Sequence, residues 1–278
     1  MQVREAVIAV TYRCNSRCLH CSVWKMKPEG EVPPSFYARL PASLREVNIS
    51  GGEPFLRDDL FEVCEVIHQR CRKPRMVINT NGLLPERTER VMRDLMRFFR
   101  VALRVSIDGL EETNDRIRGV EGHFRKGLET LERVGTLGLK DIGISFTLAR
   151  GNEDELLDVY RLCRERGWDF TVTAVHSSPI YFGEASGVAP DARLASSALR
   201  RLAGELVRHP HPKRWFRARY ALELARFIET GQRSFACGAA ETFFFLDPFG
   251  VAYPCPILPT KLGDLHEASY EEYLLFAD

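Results

Sequence analysis

The chain has 278 residues, and 39 basic against 38 acidic side chains leave a net charge of +1. A chain so close to neutral has no global field to draw it onto nucleic acid or a membrane surface, so any charge-driven partner has to be recognised locally. With 45% hydrophobic and 28% charged residues, disorder and collagen-like or coiled-coil architectures are excluded, and the length suits one large domain plus a small appendage.

In chain order, short β-branched runs alternate with helical stretches. Strand-like runs fall at residues 6–10, 46–49, 76–79, 102–107, 142–147 and 170–174. Between them the spacing of apolar residues predicts helices over 34–40, 59–71, 85–98, 124–137 and 153–166, the last with Asn152 as N-cap. Six strands alternating with helices predict an α/β protein with a parallel sheet, although periodicity does not separate an open sheet from a barrel. Past Ser177 the register breaks in a connector holding Pro179, Gly183, Gly187 and Pro190, and helical stretches follow over 191–207 and 215–230. Two apolar runs then flank Asp247-Pro248-Phe249-Gly250, a hairpin signal. Residues 270–278 read as a helix that stops without a stop signal, as in a chain cut short.

No stretch of 18 or more apolar residues occurs and the start lacks a secretory pattern, which predicts a cytoplasmic protein that does not span a membrane. In that compartment thiols stay reduced, so the eight cysteines divide into ligands and core residues and do not form a disulfide framework. Cys64 and Cys71 share the face of one predicted helix and Cys163 lies on another, which suits packing. Cys14-x3-Cys18-x2-Cys21 begins where the first strand enters its loop. Such short spacing lets three thiolates converge on one inorganic cluster, leaving one iron of a four-iron cube free to bind a ligand. The competing reading is zinc, with His20 or a distant residue as fourth ligand, in a binding module without turnover.

These cysteines, the Ser50-Gly51-Gly52-Glu53-Pro54 segment directly after the second strand, and the βα repeat over residues 5–174 together resemble the radical S-adenosylmethionine (SAM) superfamily. His20 fits the aromatic position before the third cysteine. The resemblance implies a partial (β/α)6 TIM-like barrel holding a [4Fe–4S] cluster on Cys14, Cys18 and Cys21, with SAM chelated to the free iron. Reductive cleavage of SAM would give methionine and a 5′-deoxyadenosyl radical that takes a hydrogen atom from the substrate. A low-potential electron donor of flavodoxin or ferredoxin type is implied as a partner.

Active-site groups of βα barrels gather at the C-terminal ends of strands, and the remaining candidates fall there. In the Ser50–Pro54 loop the glycines would let backbone approach a ligand, and Glu53 would accept a hydrogen bond from the SAM amino group. Asn79 and Asn81 lie in an Asn-Thr-Asn-Gly loop like the one that lines the SAM pocket in the family. Ser106, with Asp108 second, is the expected polar contact after strand four, and Arg118 the expected partner of the SAM carboxylate. Thr147 and His176 close strands five and six, His176 as a substrate-pocket candidate.

Cys237-x12-Gly250-x4-Cys255 straddles the hairpin and matches the opening of a SPASM/twitch extension, which would carry an auxiliary iron–sulfur cluster. The downstream Cys-x2-Cys of that pattern is missing. The division expected is a barrel core over 1–176, a helical connector over 177–232 and an α+β hairpin extension over 233–278. Such relatives often modify peptides or proteins, while others oxidise sugars, aminocyclitols or other small metabolites, and the first class is the expectation here. The segment 193–219 carries eight Lys or Arg against Glu205, with Trp215 and Phe216 interleaved. It reads either as a solvated helix face or as a grip for a phosphate-bearing substrate or acidic peptide; near-zero net charge disfavours nucleic acid.

Overall fold

A computed structural model describes residues 3–183, 187–208, 211–268 and 270. The strands are β1 Glu5–Ala9, β2 Glu46–Ser50, β3 Arg75–Thr80, β4 Val101–Ser106, β5 Ile142–Leu148, β6 Asp169–Ala174, β7 Phe243–Leu246, β8 Val251–Tyr253 and β9 Gly263–Asp264. The helices are α1 Leu60–Arg70, α2 Pro85–Phe98, α3 Glu111–Arg118, α4 His123–Thr136, α5 Leu156–Arg166, α6 Ala192–Val207 and α7 Pro212–Thr230. All strands belong to one sheet in the order β6-β5-β4-β3-β2-β1-β7-β8-β9.

Strands β1 to β6 are parallel, as the βαβ alternation predicts, and helices covering such a sheet explain runs as apolar as β4, which is buried from Val101 to Val105. The curled sheet is not closed and matches partial TIM-barrel folds. Its β6 edge is flanked by α7, whose Lys213 and Arg217 both bind Asp169 at the start of β6, so a helix covers backbone that would otherwise offer a pairing edge.

Two local expectations are corrected, and one helix went unpredicted. Residues 34–39 form a 3-10 helix, ended by Leu40 in extended conformation, where an α-helix was expected. Asn152 does not cap α5. Its side chain accepts from the Ala149 amide (2.9 Å) and donates to the Asp108 and Thr147 carbonyls (2.9 Å each), so it staples two strand-end loops, and a 3-10 turn, Glu153–Glu155, precedes α5. The short polar helix α3 has no apolar stripe wide enough to be read as a helix, and only Asn114, Ile117 and Arg118 are buried in it.

The hairpin signal is correct: β7 and β8 are antiparallel, and Gly250 takes a φ of 92°. The hairpin also joins the main sheet, because β7 runs parallel to β1 from Glu5↔Phe243 to Ile8↔Leu246. Phe244 and Ala252 enter the same core as Ile8, Ile49 and Ile78 of the barrel strands. Cys64, Cys71 and Cys163 are buried there as packing residues. Among the described residues no helix is long and apolar enough to cross a membrane. The unfinished helix expected over 270–278 lies, past Tyr270, outside the described residues.

Candidate active site

β1 delivers the chain into the cysteine loop, which is held from three sides. From the β2 side, the Gly52 amide donates to the Thr11 carbonyl (2.7 Å) and the Glu53 amide to the Arg13 carbonyl (2.8 Å). From α3, the Ile117 and Arg118 carbonyls accept from the Leu19 (2.9 Å) and Arg17 (3.1 Å) amides, so the loop satisfies acceptors at the helix C-terminus. From the connector, the Phe182 carbonyl accepts from the Ser22 amide (2.7 Å). A Cβ at Gly52 would stand 2.2 Å from the Arg13 carbonyl oxygen, and one at Gly119 would stand 2.4 Å from that of Arg17. These glycines therefore permit backbone-to-backbone packing of the cysteine loop, a different use from the ligand approach expected at Gly51 and Gly52.

The three thiols open on one cleft at the C-terminal ends of the strands, together with Ser50, Gly51, Gly52, Asn79, Asn81, Ser106, Arg118, Thr147 and His176. The Cys14 sulfur receives the Ser16 amide (3.5 Å) and Asn81 Nδ2 (3.9 Å), and the Cys18 sulfur lies 3.8 Å from Arg118 Nη1. Burial pushes the Cys14 thiol up to about 11 and the Cys21 thiol to about 12, so cluster assembly has to displace protons from these sulfurs. Among the described residues no three Cys, His, Asp or Glu side chains converge as the ligands of a single metal ion would. The imidazole of His20 stays neutral because burial pulls its pKa down to about 4.

Several candidates occupy other places than expected. Glu53 is fully buried away from the cleft: its carboxylate takes the Asn81 amide (2.7 Å), Thr80 Oγ1 (2.8 Å) and the Phe55 amide (3.1 Å). It bolts the β2 loop to the β3 loop, so the hydrogen bond to the SAM amino group expected of it is replaced by three internal ones. Pro54 is buried at the start of the following 3-10 turn and does not line the cleft. Asp108 is likewise withdrawn, with Oδ2 at 2.6 Å from Arg118 Nη2 and Oδ1 accepting from the Thr147 amide (2.7 Å). Arg118 lines the cleft but is committed to Asp108, leaving its buried Nε without a partner. His176 lines the cleft and places Nδ1 3.0 Å from the Ala174 carbonyl, which can only accept, so Nδ1 carries a proton, while the buried Nε2 has no partner. Cys237 is exposed before β7 and Cys255 half-buried after β8, and among the described residues no third ligand joins them.

Sequence reasoning missed Tyr181. Its hydroxyl donates to the Gly51 carbonyl (2.8 Å), accepts from the Gly51 amide (3.0 Å) and lies 3.2 Å from Ser50 Oγ. It arrives from the Pro- and Gly-rich connector, and the only available signal was the pair Tyr181-Phe182 in a segment otherwise read as linker.

An α/β barrel opened at one side, with three thiolates and a glycine loop around one cleft, is the framework of a cluster enzyme. The Radical SAM superfamily pattern matches residues 8–163, more than half of the chain, and the chain belongs to that family. Its cofactors are accordingly a [4Fe–4S] cluster and SAM. It is 31% identical over 169 residues to the pre-heme d1 synthase of Dinoroseobacter shibae, covering 58% of this chain and 40% of that protein. It is 28% identical over 257 residues to the mycofactocin maturase MftC of Mycolicibacterium smegmatis, covering 89% of this chain and 62% of the maturase. The fold also matches that of anSMEcpe solved with bound AdoMet and the Cp18Cys peptide, at a TM-score of 0.70 and 17% identity, over 98% of this chain and 80% of that one. The chain thus spans between 40% and 62% of the length of these two curated relatives.

Proposed function

We propose that this radical SAM enzyme abstracts a hydrogen atom from a peptide or protein substrate. One observation carries the choice of substrate class. The likeness to the maturase runs through 89% of the chain, past β6 into α6, α7 and the hairpin, whereas that to the pre-heme d1 synthase covers 58%. The C-terminal part frames the cleft, because Tyr181 and Phe182 of the connector line it and β7 flanks β1 below it. Sharing that frame favours a shared kind of substrate, and the anSMEcpe fold was solved with a peptide bound.

A [4Fe–4S] cluster on these cysteines and SAM beside it would supply the low-potential electron and the carbon-centred radical that removal of a substrate hydrogen atom needs. The chain holds the pieces in place. Cys14, Cys18 and Cys21 would ligate the cluster, Tyr181 fixes the Ser50–Gly52 edge that would receive SAM, and the Asp108–Arg118 pair keeps a cation beside the Cys18 sulfur. His176, whose Nε2 has no partner within the protein, lines the same cleft.

The test is anaerobic reconstitution with iron, sulfide, SAM and dithionite, offering perdeuterated peptide digest against perdeuterated free sugars. Deuterium in 5′-deoxyadenosine from the peptides alone is expected, and label from the sugars alone would overturn the substrate class. Cys18→Ala should lose the cluster absorbance and all 5′-deoxyadenosine formation.

A further inference from the structure

A second cavity of about 400 Å³ lies at the opposite end of the strands, where β5 and β6 begin, and shares no residue with the catalytic cleft. Lys140, Arg164, Lys213, Arg214 and Arg217 face it, against only Asp141 and Asp169, an excess of three positive charges. Both carboxylates are already saturated. Asp169 binds Arg104, Lys213 and Arg217, and Asp141 binds Arg75 and Arg104. Neither Lys140 nor Arg214 has a carboxylate partner among the described residues, and Arg164 reaches Glu205 only at 3.7 Å. The amides at the start of α7 are already taken by His211, so side chains alone remain to meet a ligand.

A second, independent feature points the same way. Tyr160 lines this cavity at 5% exposure, its ring set edge-on to Phe170 at 5.7 Å, and its buried hydroxyl has no hydrogen-bond partner. A buried donor is seldom left unsatisfied, because desolvating it without a partner is costly. A hydroxyl that lines the same cavity as unpaired guanidinium and ammonium groups adds to the donor set that an oxyanion takes, and a dianion offsets more of the excess charge than a carboxylate does.

We propose that this cavity is a binding site for a phosphate dianion, free or carried as a monoester, separate from the radical site, with Tyr160, Arg214 and Lys140 as its donors and Arg164 at its rim. The basic segment over 193–219 contributes to it through α7, on the face away from the cysteines.

The experiment titrates the full chain with inorganic phosphate and with ribose 5-phosphate, against sodium chloride of matched ionic strength. Binding is followed by calorimetry and by the emission of Trp168, which lines the cavity. Saturable binding is expected, weakened about tenfold or more by Arg214→Ala and by Tyr160→Phe. Tighter binding of the sugar phosphate would identify a monoester as the ligand, and equal or weaker binding would identify free phosphate. Tyr160→Phe keeps the ring packing and removes only the orphan hydroxyl, so urea stability should stay equal or rise while phosphate affinity falls. A variant far from the cavity, Arg97→Ala, should bind as the parent does. No binding beyond the chloride control, or binding that survives both cavity variants, would overturn the proposal.

Discussion

At the C-terminal ends of β4 and β5, charge is largely sealed: Asp108 is 0% exposed, and its partner Arg118 is buried at the edge of the cleft. At the opposite end, around the starts of β3, β5 and β6, the ion pairs of Arg75, Arg104, Asp141 and Asp169 form a shared network with one side open to the second cavity. The same strands thus carry two kinds of electrostatics. A buried pair in which Asp108 is the one carboxylate of Arg118 among the described residues holds a fixed geometry, which suits the end where a cluster and SAM would be oriented. An open network has several alternatives for each ion, tolerates loss, and leaves cations over for a ligand.

The largest effect expected from this contrast is on stability. Asp108→Asn leaves the Arg118 guanidinium buried beside Cys18 with no counter-charge, and should lower the unfolding free energy by about 3–5 kcal/mol in urea. Asp169→Asn leaves Arg104 with Asp141 and leaves Lys213 and Arg217 unpaired but open to solvent, so it should cost less, about 1 kcal/mol. Equal losses would erase the distinction between the two ends.

Next comes pH. Burial pushes the Glu53 carboxyl from its ordinary 4.5 up to about 7, whereas its guanidinium and ammonium neighbours hold Asp169 below the usual carboxylate range. A raised folded-state pKa means that the fold retains a proton the unfolded chain releases. The Glu53 contribution is therefore complete below 4.5 and declines as pH rises through 7. The Asp169 contribution has the opposite sign: present above its ordinary 3.8 and lost as pH falls through its lower folded value. Glu53→Gln should flatten the decline between 4.5 and 7 in urea midpoints while leaving the acid limb untouched. A slope unchanged in the variant would assign it to another group.

The smallest expected effect sharpens the picture of the sealed end. Tyr181→Phe keeps the ring against Phe245 but removes the hydroxyl from Gly51, and should weaken SAM binding to the reconstituted protein about fivefold, with stability changed by about 1 kcal/mol. Unchanged SAM affinity in calorimetry would reduce Tyr181 to packing.

The βα alternation and the cleft's cysteines were legible in the sequence because both are local signals. Short β-branched runs mark strands one at a time, and Cys14, Cys18 and Cys21 sit within eight residues of one loop. The loops after β2, β3 and β4 were legible as places but not in the roles of their charged members. Glu53 and Asp108 occur where a ligand contact is expected, yet both turn inward. That turn is decided by partners from elsewhere in the chain: Thr80 and Asn81 for Glu53, Arg118 and Thr147 for Asp108. No spacing rule reports which of several nearby donors will reach a carboxylate first.

What the sequence determined by itself, then, is the order of strands and helices, the thiolate triplet, and the hairpin turn at Gly250, each set by residues a few positions apart. Tertiary structure alone decided that β7 aligns with β1, that Tyr181 clamps Gly51, and that the basic start of α7 lines one cavity with Tyr160, apart from the cysteine cleft. These pairings join segments separated by tens to hundreds of residues, and their free energy comes from desolvation and packing that exist only once the chain has folded.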